Sequence, residues 1–155
     1  MAIQVNSDFK DIVRVLSSAR VRYLVVGGFA VIEHTEPRYT KDLDLWVEPT
    51  PANAHKVFLA LQRFGAPLKG VEEKDFTNEQ LVFQMGVEPV RIDILMGLEA
   101  VTFSAAWKSR KTVRWGALRV PVMSAAHLIA NKKRVGRPQD LADVASLQAA
   151  IRRRR

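Results

Sequence analysis

The stretch LVVGGFA at residues 24–30, followed by RYTKDLDL at residues 38–45, decides the fold. A short apolar run rich in β-branched residues stops at Gly27-Gly28, and helix-forming residues follow it. Beyond it, Asp42 and Asp44 alternate with leucines, which predicts a strand with one buried face and one polar face. We therefore expect the order strand, glycine turn, helix, acidic strand.

Apolar periodicity along the rest of the chain predicts more helices and strands. Further helices are expected at residues 7–20, 51–65, 103–109 and 124–136, and from residue 138 onward. Two hairpins are expected, one from strands 81–85 and 90–95 joined around residues 86–89, the other within residues 112–122 and broken at Gly116. Residues 71–78 are polar and poorly patterned. We expect one domain over residues 1–155, of α/β (α+β) class, with a mixed β-sheet flanked by helices and a C-terminal helical pair.

Composition limits the chemistry that is available. The 155 residues have 48% hydrophobic content but no long apolar run and no secretory leader, so we expect a cytoplasmic protein without a membrane partner. The absence of cysteine excludes disulfides, thiolate zinc sites and cysteine nucleophiles. A net charge of +8 favours nucleic acid, nucleotide phosphates or an acidic protein as partner. The basic run at residues 152–155 is better explained as a solvated tail than as an RNA-binding arm.

Three aspartates are candidate metal ligands. Asp42 and Asp44 leave the same face of a strand, with Cα atoms about 6.5–7 Å apart, and Asp93 is the one acid in the apolar stretch RIDIL at residues 91–95. Acids gathered in one cleft repel one another unless a cation neutralises them, and magnesium prefers carboxylates together with phosphate oxygens. The pattern favours a metal-bound triphosphate. The alternative is a solvated sheet face for the first two and an arginine partner or a turn-capping role for Asp93.

Basic residues near these acids are candidate phosphate ligands. Arg38 and Lys41 precede the acidic strand, and Lys132 or Arg137 could reach the site from the closing helices. Gly27-Gly28 would let the backbone approach a phosphate, or would simply be a tight turn. The alternatives for the cations are ordinary ones: an ion pair of Arg38 with Glu36 or Asp42, a solvated helix face for Lys132, and an ion pair of Arg137 with Asp140 or Asp143.

Two other groups of residues have simpler explanations. Asp140 and Asp143 lie at the start of the last helix, where capping is the favoured role. Trp46 could stack on a base, but packing in the core is the favoured role.

The stretches at residues 24–30 and 38–45, with thirteen residues between Gly28 and Asp42, resemble the polymerase-beta-like nucleotidyltransferase superfamily. The likeness is greatest to its small bacterial members related to toxin–antitoxin and abortive-infection proteins. It continues through RIDIL at residues 91–95, LIANK at residues 128–132 and RPQDLAD at residues 137–143.

The resemblance implies a nucleotidyltransferase fold and a set of roles. Gly27 and Gly28 would hold phosphates, Asp42 and Asp44 would bind Mg²⁺ or Mn²⁺, and Asp93 would assist the incoming hydroxyl. The substrate would be ATP or another nucleoside triphosphate, and the acceptor tRNA or another RNA, a protein or a small molecule. With the candidates that lie near these acids, the expected nucleotide-binding residues are Gly27, Gly28, Arg38, Thr40, Lys41, Lys132 and Arg137.

One departure from the family concerns the turn. Many active members have Gly-Ser where this chain has Gly27-Gly28, so residue 28 offers no hydroxyl to a phosphate. The departure allows an alternative, a catalytically weak or inactive member that acts as an antitoxin-like partner of another protein. A third interpretation is an RNA-binding adaptor that works through its basic surface.

Overall fold

The computed structural model describes residues 5–87 and 89–154; Glu88 in the expected turn and Arg155 in the basic run lie outside this part. None of the described helices is long and apolar enough to cross a membrane. The described residues form six α-helices and six strands: α1 (Ser7–Ser18), β1 (Tyr23–Val26), α2 (Gly27–His34), β2 (Asp42–Val47), α3 (Pro51–Phe64), β3 (Val82–Val87), β4 (Val90–Leu95), α4 (Phe103–Lys108), β5 (Lys111–Trp115), β6 (Leu118–Val122), α5 (Ala125–Val135) and α6 (Pro138–Arg153).

All six strands belong to one mixed sheet in the order β3-β4-β2-β1-β6-β5. The two predicted hairpins, β3–β4 and β5–β6, are antiparallel and form its two edges. At the centre, β2 runs antiparallel to β1 and parallel to β4, while β1 pairs in parallel with β6. The mixed sheet with flanking helices and a closing helical pair is confirmed.

Local sequence signals set the helix ends. The Thr50 hydroxyl accepts a hydrogen bond from the Asn53 N–H in front of Pro51, and Ser124 caps α5 in the same way. Gly65 and Gly136 end α3 and α5 in the left-handed conformation. These starts and stops agree with the predicted boundaries.

Trp46 lies in the core, as the favoured interpretation had it. Its side chain is buried and packs edge-on against Phe103, with ring centroids 5.1 Å apart. The second half of β2 is therefore covered on both faces, whereas Asp42 and Asp44 at its beginning stay partly accessible.

The polar segment at residues 71–78 contains an element that its sequence does not predict. Residues 73–77 form a short 3₁₀ helix that carries Phe76 into the core. The Phe76 ring lies 6.4 Å from that of Phe58 and 5.9 Å from that of Phe83. A single aromatic residue has no periodicity, so only the tertiary contacts reveal it.

We expect Phe76→Ala to destabilise the protein by about 3–5 kcal/mol, because it removes a fully buried ring and leaves a cavity. Urea unfolding followed by circular dichroism measures this change. Leu81→Ala is the control, since Leu81 is 40% exposed and its loss should cost far less. Equal effects of the two substitutions would contradict the assignment of Phe76 to the core.

Candidate active site

A row of paired residues crosses the sheet at the centre of the candidate site. Asp44 on β2 lies opposite Val26 on β1 and opposite Asp93 on β4. Two residues earlier on β2, Asp42 lies opposite Arg91. Because residues two apart share a face of the sheet, the three predicted aspartates project toward the same side.

The glycine turn follows directly after this row. Gly27 has φ +64°, and a Cβ atom placed on it would overlap the Asp44 carboxylate. The turn and the acidic strand are therefore in direct contact, and glycine is required for two reasons at once. The helix that starts there, α2, has no side-chain cap at its N-terminus, which leaves N–H groups of its first turn available to an anion.

Asp44 has the most perturbed acid–base behaviour at the site. Burial raises the pKa of Asp44 to about 7, helped by the charges of Asp93 and Asp42 and by a hydrogen bond with Asp93, while the charge of Lys132 opposes the shift. Carboxyl groups held this close favour a shared proton unless a cation replaces it.

Arg91 is the cation that Asp93 faces in this structure. Its Nε atom lies 3.2 Å from Asp93 Oδ1, on the same face of β4. Hydrogen bonding and charge from Asp93 raise the pKa of the Arg91 guanidinium. The arginine partner that the sequence offered as an alternative for Asp93 is present, and Asp93 still lies beside Asp44.

The donor atoms fit a hard divalent cation. Asp42 Oδ1 is buried and has no hydrogen-bond partner, which is unfavourable for a carboxylate oxygen unless it can meet a cation. Magnesium and manganese prefer carboxylate oxygens as ligands, and Asp44 and Asp93 supply two more carboxylates beside Asp42. Within residues 5–87 and 89–154, however, no three His, Asp or Glu side chains are already arranged around a common point.

Lys132 on α5 is buried, so the solvated helix face considered for it is wrong. Its Nζ atom lies 3.0 Å from Asp143 Oδ2 and 3.5 Å from Asp140 Oδ1, both on α6. These two carboxylates are themselves buried, which explains why the ammonium group turns inward.

Arg38 pairs with neither of the partners that its sequence neighbours suggested. Its Nη2 atom lies 3.3 Å from both carboxylate oxygens of Asp143, a residue 105 positions away along the chain. Glu36 and Asp42 were therefore the wrong partners. The packing of α6 against the segment before β2 makes this contact.

Arg137 and Asp140 form the ion pair that the sequence allowed. Arg137 Nε lies 2.8 Å from Asp140 Oδ2, and the Arg137 N–H donates to the same oxygen, so Asp140 also caps α6 as predicted. Burial acts to raise the pKa of the Asp140 carboxyl, but the bonds from Arg137 and the charge of Lys132 outweigh it and lower that pKa. Sequence reasoning missed the larger role of the two α6 acids, which is to hold Arg38, Lys132 and Arg137.

Two adjoining cavities meet above these residues. The Asp93 cavity has a volume of about 540 Å³ and the Thr40 cavity about 530 Å³, both within the usual range for small-molecule sites. They share Gly27, Asp42, Asp44, Lys132, Arg137 and Asp140. Asp93 and Arg91 line only the first, whereas Gly28, Arg38, Thr40 and Lys41 line only the second. Every residue predicted for the site thus borders this double cleft.

Removing the buried ammonium tests the α5–α6 charge cluster. We expect Lys132→Met to lower the free energy of unfolding by about 3–5 kcal/mol, because it leaves two buried carboxylates without their central cation. Urea unfolding measures the loss. Lys133→Met, at the exposed neighbouring position, should change stability by less than about 0.5 kcal/mol. Similar losses in both variants would argue against the cluster.

The raised pKa of Asp44 predicts a pH-dependent stability in metal-free buffer. The folded state binds the Asp44 proton more tightly than the unfolded state, so stability falls as pH rises and this contribution is lost as the pH passes about 7. Asp44→Asn removes that dependence. Between pH 4 and pH 7, the free energy of unfolding of Asp44→Asn should rise relative to that of wild type by on the order of 3 kcal/mol. Above pH 7, the difference between the two free energies should stay constant.

Urea unfolding in EDTA at pH 4 to 8.5 measures this difference. Asp11→Asn is the control, because Asp11 lies on the exposed face of α1 and pairs with Arg14 at the surface. A stability difference between wild type and Asp44→Asn that stays the same at every pH would refute the assigned pKa.

Comparison with solved structures identifies the fold. No family model matches the sequence, and no curated protein matches it either. The crystal structure of the lincosamide antibiotic adenylyltransferase LnuA with bound lincomycin matches with a TM-score of 0.58 and 16% identity, over 94% of this chain and 98% of that chain. A candidate nucleotidyltransferase from Thermotoga maritima matches with a TM-score of 0.54 and 11% identity, over 94% of this chain and 91% of that one. The chain therefore has the nucleotidyltransferase fold that the family resemblance implied.

Proposed function

We propose that this protein is a metal-dependent nucleotidyltransferase. It transfers a nucleoside monophosphate from ATP or another nucleoside triphosphate to an acceptor hydroxyl, with release of pyrophosphate. The observation that carries the proposal is the contact between the Gly27 turn and Asp44, with Asp93 beside it on β4. A helix start whose free N–H groups suit an anion lies there against a pair of carboxylates.

The carboxylates would hold the metal. Asp42 offers a buried oxygen without a partner, and Asp44 and Asp93 share one position across two strands. Bound Mg²⁺ or Mn²⁺ would neutralise charge on the triphosphate and lower the pKa of the attacking hydroxyl. Asp93 would exchange Arg91 for this cation and orient or deprotonate the acceptor, whose oxygen forms the new bond to the α-phosphorus as the bond to pyrophosphate breaks.

The triphosphate would lie in the Thr40 cavity. The uncapped first turn of α2 donates N–H groups there, and Arg38, Lys132 and Arg137 supply positive charge around it. Lys41 lines the same cavity. Lys132 is a positioned group, since two buried carboxylates fix its ammonium beside Asp44.

The acceptor would enter through the Asp93 cavity. Gln84, Asn131 and Glu99 line it beside Asp93 and offer hydrogen bonds to a polar molecule. A hydroxyl entering from this side would meet Asp93, which lines this cavity and not the Thr40 cavity. Candidate acceptors are tRNA or another RNA, a protein, and a small molecule such as the antibiotic class named for LnuA.

Triphosphate binding is the first test. At a ligand concentration of about 100 times Kd, Mg²⁺ with the preferred triphosphate should raise the melting temperature by about 5–10 °C. Asp42→Asn and Asp93→Asn should lose most of this shift, because they remove metal ligands. Asp11→Asn, far from the cleft on α1, should keep it.

Each of the four triphosphates should be tested with Mg²⁺ and with Mn²⁺. If none of them raises the melting temperature of the wild-type protein, the enzymatic proposal is wrong. A stable complex with another cellular protein, formed equally well without triphosphate, would then favour the antitoxin-like alternative.

Labelled transfer identifies the acceptor. Triphosphates labelled at the α-phosphorus are incubated with total RNA, cell protein and hydroxyl-bearing small molecules, and transfer of label is followed together with pyrophosphate release. Label on one class, lost in Asp93→Asn but kept in Asp11→Asn, assigns the acceptor.

A further inference from the structure

We propose that the Thr40 hydroxyl donates a hydrogen bond to a phosphate of the bound triphosphate and so replaces the hydroxyl that Gly28 does not provide. This inference rests on the proposed function, since it assigns a ligand contact within the same cleft. It concerns the feature in which this chain departs from the family resemblance, the second glycine of the turn.

Thr40 already fills the space that a side chain at residue 28 would need. A Cβ atom placed on Gly28 would lie 2.6 Å from Thr40 Oγ1 and 3.3 Å from Thr40 Cβ. Real Cβ atoms do not approach another heavy atom as closely as 2.6 Å, so a serine at residue 28 would force the Thr40 side chain to leave its present position. The hydroxyl therefore lies beside the first turn of α2 although residue 28 is glycine.

The surroundings of this hydroxyl indicate an anionic partner. Arg38 Nη2 lies 3.5 Å from the same position above Gly28, so a guanidinium adjoins the hydroxyl. Thr40 lines the Thr40 cavity together with Asp42 and the glycine turn. Within residues 5–87 and 89–154, its hydroxyl has no hydrogen-bond partner. A free donor beside an arginine and an uncapped helix start suits a phosphate oxygen.

The position of Thr40 in the sequence places its hydroxyl close to the proposed metal ligands. Thr40 precedes Asp42 by two residues and Asp44 by four, in the irregular segment that leads into β2. Thr40, Asp42 and Asp44 all line the Thr40 cavity, so one stretch of chain presents a phosphate donor and the proposed metal ligands together.

Two variants at residue 40 test the contact. Thr40→Val keeps the shape but removes the hydroxyl, and we expect it to bind Mg²⁺-ATP about ten- to a hundredfold more weakly, as for loss of a hydrogen bond to a charged group. Thr40→Ser keeps the hydroxyl and should bind nearly as well as wild type. Calorimetric titration with Mg²⁺-ATP and with adenosine separates the contacts, because adenosine has no phosphate and its affinity should not change.

A swap of positions gives the decisive comparison. Gly28→Ser alone should weaken Mg²⁺-ATP binding, since its side chain collides with Thr40. Gly28→Ser combined with Thr40→Ala frees that space and returns a hydroxyl from the other side, so affinity should recover above that of either single variant. A purely structural role for Thr40 would not produce this reciprocal rescue.

The outcomes separate the two proposals. If wild type binds no triphosphate, the proposed function fails. If wild type binds Mg²⁺-ATP and Thr40→Val binds equally well, the function stands and the role of Thr40 is overturned. If Thr40→Val does not fold, the double variant and Thr40→Ser decide: weaker binding by the double variant than by Thr40→Ala overturns the inference.

Discussion

The parallel pairing of β2 with β4 is the constraint on which the site depends. It places the Asp44 and Asp93 carboxyls side by side across two strands, while the antiparallel pairing with β1 brings the Gly27 turn against Asp44. Burial raises the pKa of Asp44, and the repulsion between these like charges raises it further. The pairing of the strands thus holds two carboxylates that repel each other, and a bound cation or proton would reduce this repulsion.

The surrounding cations answer this repulsion in two ways. Arg91 reaches Asp93 from the same strand, where it is partly exposed and can give way to another cation. Lys132 is held differently, because it is buried together with Asp140 and Asp143, and their carboxylates fix its position. One positive charge is therefore partly open to solvent, and the other is buried between the closing helices. The closing helices contribute to the cleft chiefly by building this second, permanent charge.

Local signals predicted most of the fold, and long-range contacts account for what they missed. The caps at Thr50 and Ser124 and the alternation around Asp42 depend on neighbouring residues, so the sequence suffices to read them. The inward turn of Lys132 depends on α6, and the pairing of Arg38 with Asp143 joins residues 105 positions apart. Spacing and family resemblance suggested the candidate site residues. Spacing shows on which face of a strand a side chain lies, but not which strand lies beside it. The adjacency of β2 and β4 is therefore known only from the structure.

The two glycines of the turn answer to different constraints. Gly27 has a left-handed φ and presses against Asp44, so any side chain there is opposed by both the backbone and the carboxylate. Gly28 lies within α2 without a positive φ, and its backbone would accept other residues. The obstacle to a side chain there is the Thr40 hydroxyl, which would have to move. Residue 28 is therefore coupled to residue 40 through space, whereas Gly27 is required by its own backbone and by the Asp44 carboxylate.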